Sequence, residues 1–383
     1  MSSLPTPTAV GNAELHLQFM SASQRTEVIL LWRKLEVELC NRRLTCSAIW
    51  VDTWLNHFGG LIPHQFAIGW RHEKVCAIAL LTQGVSQYSG PFVLKTWHLG
   101  TAGEPELDSI CVEYNSLLAS PEDGLEFGDA IWKWARDKTA CDEFRMDGFD
   151  SNSIAPLLAR NPQASVDRKR VYFFDLRPSR VSGDEPLMRL GTQTRANIRR
   201  TLRELGDVRS EWAETAPRAE QMFHQMVSLH QARWTSAGKP GAYASTRFHD
   251  FHLELLNRAV PTGLMTIVGL TSGTQFIGGN HILIDNHRGL LYQSGWTPGT
   301  GRVSPGMALD YHCICECLRR GYDEVDFLAG DGEHKRRLAT DESELAWVVW
   351  RRANLKNTLI RVFRRIKTHF LAPRPTVQPI EAL

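Results

Sequence analysis

The chain has 383 residues, 43% hydrophobic and 22% charged, with 44 Lys and Arg against 42 Asp and Glu. That length and apolar content suffice for two buried cores, since domains commonly run to roughly 100 to 200 residues. A net charge of +2 gives no electrostatic reason to expect DNA as a partner.

No run approaches the roughly 18 consecutive apolar residues of a membrane span. The opening MSSLPTPTAVGNAELHL lacks a basic segment followed by an apolar core, so the expected location is the cytoplasm. Among the eight cysteines, Cys40, Cys46, Cys76, Cys111 and Cys141 are scattered. Cys313, Cys315 and Cys317 alternate within a predicted helix. Without CxxC pairs, reduced and mostly buried thiols are expected, and no metal site.

In chain order, the pattern predicts helices over 26–39 and 51–58, the second with Trp50 and Trp54 spaced for one face. A hairpin follows over 65–83, then a strand over 92–99, a helix over 125–137 and strands over 143–146 and 171–176. The polar stretch Arg177 to Glu185 reads as a linker.

Beyond it the pattern predicts a helix from a Thr194 N-cap to Leu205, ended by Gly206. A longer helix at 217–234 carries Ala219, Met222, Phe223, Met226 and Leu229 as the stripe of a helix lying on a sheet, with proline in its first turn. Next come a helix at 247–258, a hairpin over 264–283, a strand at 289–296, a loop rich in Gly and Pro at 297–304 and a helix at 305–320. Strand, glycine-bearing loop and helix in that order bring backbone N–H groups to a helix start, which suits a phosphate. The segment lacks both GxGxxG and GK[ST].

Two echoes suggest an internal duplication. Cys141 to Asp150 (CDEFRMDGFD) repeats the beginning of YDEVDFLAGDGEHKRR at 322–337, pairing Asp142 with Asp323, Glu143 with Glu324 and Asp150 with Asp331. The hairpins QFAIGWRHEKVCAIALLTQ and LMTIVGLTSGTQFIGGNHIL precede the two copies at similar distances. Only the second copy continues into His334, Lys335 and Arg336, which points to chemistry in the second half.

Three segments carry a family resemblance: TRANIRRTLREL (194–205), LHQARWTSAGKPGAY (229–243) and SPGMALDYHCICECLRRGYDEVDFLAGDGEHKRRL (304–338). In this order they resemble bacterial GNAT-type acyltransferases with two GNAT-like halves, the branch often labelled cellulose-biosynthesis-like and related to the FemABX transferases. The resemblance implies an α/β (α+β) fold of two tandem GNAT-like domains, each a mixed, mostly antiparallel sheet flanked by helices. It divides the chain into a non-catalytic domain at 1–180, a catalytic domain at 185–352 and a basic amphipathic tail at 353–383.

What the resemblance implies for chemistry is direct attack of an amine on an acyl thioester, with no covalent intermediate and no metal. The donor, acyl-CoA or the phosphopantetheine of an acyl carrier protein, would lie where two central strands part beside Tyr292 to Trp296. Its phosphate would meet Arg302, Ser304, Gly306 and Met307, with Arg195 and Arg199 on a neighbouring helix face. GRVSPG at 301–306 matches the usual glycine-rich loop only in part, which leaves the identity of the acyl donor open.

Asp331 and His281 are the candidate bases, and Tyr292 the candidate acid for the leaving thiol. Backbone N–H groups of the parted strand would hold the oxyanion. Arg233, Trp234, Gln293, Ser294, Lys335 and Arg336 are the candidate contacts to a small-molecule amine acceptor. Each has a plainer reading beside it: Asp331 as a turn-former, His281 and Tyr292 as core, and the Lys335 to Arg337 run as a solvated face.

Two other functions fit the same residues: a Fem-like transferase using aminoacyl-tRNA, and a non-catalytic binding protein of a polysaccharide pathway. The tail helix at 355–370 sets Lys356, Arg361, Arg364, Arg365 and Lys367 around Leu355, Leu359, Val362, Phe363 and Ile366. That pattern suits docking on the protein's own body better than contact with an anionic membrane surface.

Overall fold

The computed structural model describes residues 14–39, 43–89, 91–299 and 303–370. The first half comprises β1 (His16–Ser21), α1 (Arg25–Glu38), α2 (Ala48–Phe58), β2 (His64–Arg71), β3 (Lys74–Gln83), β4 (Gln87–Ser89), β5 (Phe92–Leu94), β6 (Thr96–Leu99), β7 (Leu118–Ala119), α3 (Pro121–Asp137), β8 (Glu143–Asp150), α4 (Ser151–Arg160) and β9 (Ser165–Asp175). The short α5 (Arg177–Ser182) and α6 (Thr192–Leu205) lead into β10 (Val208–Trp212), α7 (Ala216–Ser236), α8 (Thr246–Ala259), β11 (Met265–Ser272), β12 (Gln275–Asp285) and β13 (Arg288–Trp296). The chain continues with α9 (Pro305–Arg319), β14 (Glu324–Ala329), α10 (Glu333–Leu338), β15 (Asp341–Arg351) and α11 (Leu355–Phe370).

The hairpins form where the sequence placed them. The first turns at His72 (φ 49°) and Glu73 (60°) and the second at Gly273 (57°) and Thr274, two-residue loops whose positive φ suits the twist of the flanking strands. Strands β1-β2-β3-β6-β8 and β10-β11-β12-β13-β14 then repeat one pattern: three antiparallel pairings and a parallel one. The duplicated decapeptides supply β8 and β14, which occupy equivalent places in the two series.

The two series meet in a single 13-stranded sheet with central order β8-β15-β9-β14. Each half lends its last strand to the other: β9 pairs with β14, β15 pairs with β8, and the two lent strands pair with each other from Asp341↔Phe173 to Val349↔Ser165. The halves also share one core, where Trp50 of α2 meets Phe251 of α8 edge-on at 5.4 Å. Helices α7 and α8 cover one face of the second series, while α6 packs on α9 across the other.

Several local expectations need correction. Helix α6 begins at Thr192 behind Gly191, so Thr194 lies inside it. The expected linker contains α5, fastened by Arg177 to Asp175 (2.8 Å) and Arg180 to Asp323 (2.8 Å). The strand expected over 92–99 breaks at Lys95, whose N–H donates to Asp142 Oδ2 (2.9 Å) and whose carbonyl receives Asp142 N–H (2.8 Å). Strands β1, β10 and β15 and helix α4 were not anticipated. Arg302 and Cys40 lie outside the described residues, as do the side chains of the tail helix from Phe363 onward.

Candidate active site

Strands β13 and β14 part after a short parallel contact. They pair only over Arg288–Leu290 with Glu324–Asp326, yet β13 runs on to Trp296 and β14 to Ala329. Both bend at this point. The β12–β13 register passes from His281↔Gln293 to Ile282↔Leu291, leaving Tyr292 as the extra residue of a bulge. In β14, buried Leu328 takes φ 62° and the pairing with β9 shifts between Asp326 and Ala329. In the first half, by contrast, β6 pairs with β8 along its whole length.

One mouth of the gap lies beside the start of α9. A Cβ on Gly306 would stand 2.8 Å from Trp296 Cε2, so only glycine lets the helix start approach the indole this closely. The Arg233 guanidinium lies over Trp296, 3.7 Å from a ring centroid. Burial pushes Arg233 down to about 10, with Asp310 opposing the shift. Asp310 is pushed up to about 6 by burial, against a hydrogen bond from Asn280 Nδ2 (3.0 Å) and the charges of Arg233 and Lys335. His334 is lowered to about 4 by burial and by the Lys335 and Arg233 charges.

Among the described residues, Arg233 Nη1 and Trp234 Nε1 are buried without a hydrogen-bond partner. Ser304 N–H donates to Thr201 Oγ1 (3.2 Å), tying α6 to the α9 start, and Met307 packs with the buried cluster beneath α9. Arg195 donates to Met188 O (3.4 Å) and Thr192 Oγ1 (3.3 Å). Arg199 is exposed, with Nη2 3.9 Å from Met188 Sδ. Both arginines are therefore turned toward the turn Pro186–Arg189, and the structure does not bring them against Trp296.

On the α7 and α8 side the gap is walled by rings. His281 is fully buried, 3.5 Å from the Tyr243 hydroxyl and in ring contact with His252 and Tyr292. Burial lowers it to about 3. Tyr292 donates its hydroxyl proton to Ile110 O (2.5 Å) of the first half, and burial raises it well above its ordinary value. Gln293 and Ser294 are half-buried; Ser294 O faces His230 Nδ1 at 2.9 Å, and burial lowers His230 to about 4. A Cβ on Gly295 would stand 2.1 Å from Met226 O, so α7 lies directly against β13.

At the end of β14 the ionisable loop divides. Asp331 is exposed and accepts from the Tyr172 hydroxyl (3.3 Å), and Arg336 Nη2 donates to Asp331 O (3.3 Å). Lys335 is buried, its ammonium donating to Leu328 O (3.3 Å) and Ala329 O (2.7 Å). Beside it stands Glu113 of the first half, whose Oε2 accepts from Ala329 N–H (2.8 Å). A cavity of about 10 Å³, space for about one water, lies at the parting point, lined by Leu290, Tyr292 and Leu328 and by Val112, Glu113 and Tyr114.

Asp310 and Glu113 escaped the sequence analysis. Asp310 carries a readable signal, because it and Cys313, three residues apart on one helix face, both meet Asn280. Glu113 carries none, sitting in a stretch of the first half without a motif. Among the described residues no three His, Cys, Asp or Glu gather to hold a metal ion, and no helix is long and apolar enough to cross a membrane.

Residues 192–336 match the acetyltransferase (GNAT) domain family. No curated protein matches the chain. Among solved structures, the chain resembles FemX with a TM-score of 0.58 at 10% identity, over 90% of this chain and 99% of that one. It also resembles the C-terminal domain of a putative lysylphosphatidylglycerol synthetase from Agrobacterium fabrum (TM-score 0.54, 10% identity, 90% and 97% covered). A third likeness is to L-PGS from Bacillus licheniformis (TM-score 0.51, 9% identity, 82% and 95% covered). At such identities these likenesses concern the fold.

Proposed function

We propose that this chain, an acyltransferase whose residues 192–336 form a GNAT acetyltransferase domain, moves an acyl group from a thioester to an amine by direct attack. The observation that carries this reading is the parting of β13 from β14 after Leu290 and Asp326. Two strand edges left without a ladder offer backbone donors and acceptors to an extended pantetheine arm, which can pair with them as an added strand would.

In this reading the donor is acyl-CoA or an acyl carrier protein, with its phosphate at the α9 start near Ser304, Gly306 and Met307. Arg233, stacked on Trp296, has hydrogen-bonding capacity to spare and would hold an anionic group at the mouth. Gln293, Ser294, Trp234 and Arg336 would border the acceptor amine.

N–H groups of β13 beyond its bulge would receive the tetrahedral oxyanion. Lys335, fixed by the Leu328 and Ala329 carbonyls, places a positive charge beside that position. The free cysteines fit the reducing cytoplasm, where acyl thioesters are available.

Binding of CoA, acetyl-CoA, acyl carrier protein and an aminoacyl-tRNA, measured side by side, tests the reading. Saturable binding of a thioester donor, followed by transfer to an amine, is the expected result. Binding of the charged tRNA alone would replace this reading with the Fem-like one, and binding of none would favour a non-catalytic protein.

A further inference from the structure

Ala329, the last residue of β14, is held from both sides. Its carbonyl accepts from Lys335 Nζ (2.7 Å) and its N–H donates to Glu113 Oε2 (2.8 Å). Lys335 belongs to the second half; Glu113 comes from the segment 100–117 of the first.

That segment is fastened along its length. Thr101 Oγ1 accepts from Trp50 Nε1 (2.8 Å), Glu104 from Trp54 Nε1 (2.6 Å) and Asp108 from Ser245 Oγ (2.7 Å). Ile110 O accepts from Tyr292, and the Tyr114 hydroxyl donates to Asp326. The carboxylate is thus set by a rigid strap at the point where β13 and β14 part, on the wall of the cavity found there.

We propose that Glu113 is the proton acceptor for the attacking amine, lent by the first half to the site in the second. The inference rests on the acyl-transfer reading above. The acceptor ammonium gives one proton to the Glu113 carboxylate, and the freed amine forms the new N–C bond at the thioester carbonyl. The C–S bond breaks with its electron pair going to sulfur, the second nitrogen proton leaves with the thiolate, and Glu113 returns its proton to water.

The surroundings suit that task. Burial pushes the Glu113 carboxyl up to about 7, against the Ala329 hydrogen bond and the Lys335 charge; Asp326 adds to the rise and Lys169 opposes it. Tyr292 and Cys111 also stand near it. A base poised near neutral pH is the efficient kind. Asp331, by comparison, is exposed; His281 is sealed and lowered to about 3; Asp310 stands among the cations at the donor mouth.

The test is Glu113→Gln in the full chain, because Gln keeps an oxygen for the Ala329 N–H but cannot take a proton. The expected result is a fall in kcat of about a hundredfold or more, unchanged donor binding, and loss of the acid limb expected of wild type near pH 7. Asp331→Asn should keep that limb. A Glu113→Gln variant within threefold of wild type, or one that keeps the limb, overturns the proposal.

A second arm reads Glu113 without turnover. A raised carboxyl pKa means that the folded protein binds the extra proton between about 4.5 and 7, so its stability is present below that window and lost as pH rises through it. The melting temperature of Glu113→Gln should therefore gain on wild type from pH 5 to 8, and a gap that does not change with pH counts against the proposal. Failure of the acyl-transfer reading would show separately, as absence of donor binding in wild type.

Discussion

The Arg233 guanidinium lies 3.7 Å from a ring centroid of Trp296, and the same indole fills the space where a Gly306 side chain would stand. Helix α7, strand β13 and the start of α9 thus meet through one aromatic ring at the mouth of the gap between β13 and β14. Gly306 is thus a packing requirement of the fold, beyond any part it has in receiving a phosphate.

Gly306→Val should therefore displace Trp296 and with it Arg233. We expect donor affinity to fall at least tenfold, about 1.4 kcal/mol, together with a lower melting temperature. In a Trp296→Ala background the valine should cost less stability, because the clash is gone. Equal costs in the two backgrounds, measured by denaturant unfolding, would show that Trp296 is not what Gly306 accommodates.

Lys335→Ala and Asp331→Asn should behave differently. Lys335 is 5% exposed and bound to two strand-end carbonyls, so its removal should destabilise by about 1 to 3 kcal/mol as well as lower turnover roughly tenfold or more. Asp331→Asn, at an exposed position, should shift the melting temperature little. A Lys335→Ala variant with wild-type turnover would remove the residue from the chemistry.

The exchange of β9 and β15 makes a prediction about folding. Because each half completes its sheet with the other's last strand, the halves should unfold in one transition. Fluorescence and circular dichroism followed in urea should give coincident curves. Two separated transitions would mean that the lent strands do not couple the halves.

Acid should destabilise the ring wall. Burial lowers His230 to about 4 and His281 to about 3, so the unfolded chain binds the extra protons first as pH falls. That stability is fully present above about 6.5, the ordinary histidine value, and is lost progressively toward pH 4 and 3. His281→Gln should flatten the decline in melting temperature between pH 6 and 4; an unchanged slope would mean that His281 does not contribute to it.

Much of the fold was legible because it rests on local patterns. The paired hairpins, the helix stripe from Ala219 to Leu229 and the echo of Glu143 in Glu324 are set by residues close together in the chain. The exchange of β9 and β15 was not legible, since choosing between two similar strand edges depends on contacts more than 150 residues apart, such as Leu345↔Lys169. In the candidate site, Tyr292 to Trp296 was marked by the family resemblance, Gly306 by the order of strand, loop and helix, and Lys335 by the end of the second decapeptide that has no counterpart in the first. Glu113 could not: its role depends on a strap from the other half reaching Ala329, and no spacing within the second half encodes that contact.

If the acyl donor lies between β13 and β14, a crystal structure of the full chain with a non-hydrolysable acetyl-CoA analogue will show the pantetheine arm paired along the β13 edge beyond Leu290, the pyrophosphate at Ser304 to Met307 and the acetyl carbonyl near Tyr292. An analogue bound elsewhere, with these two strand edges left bare, would place the donor outside the gap.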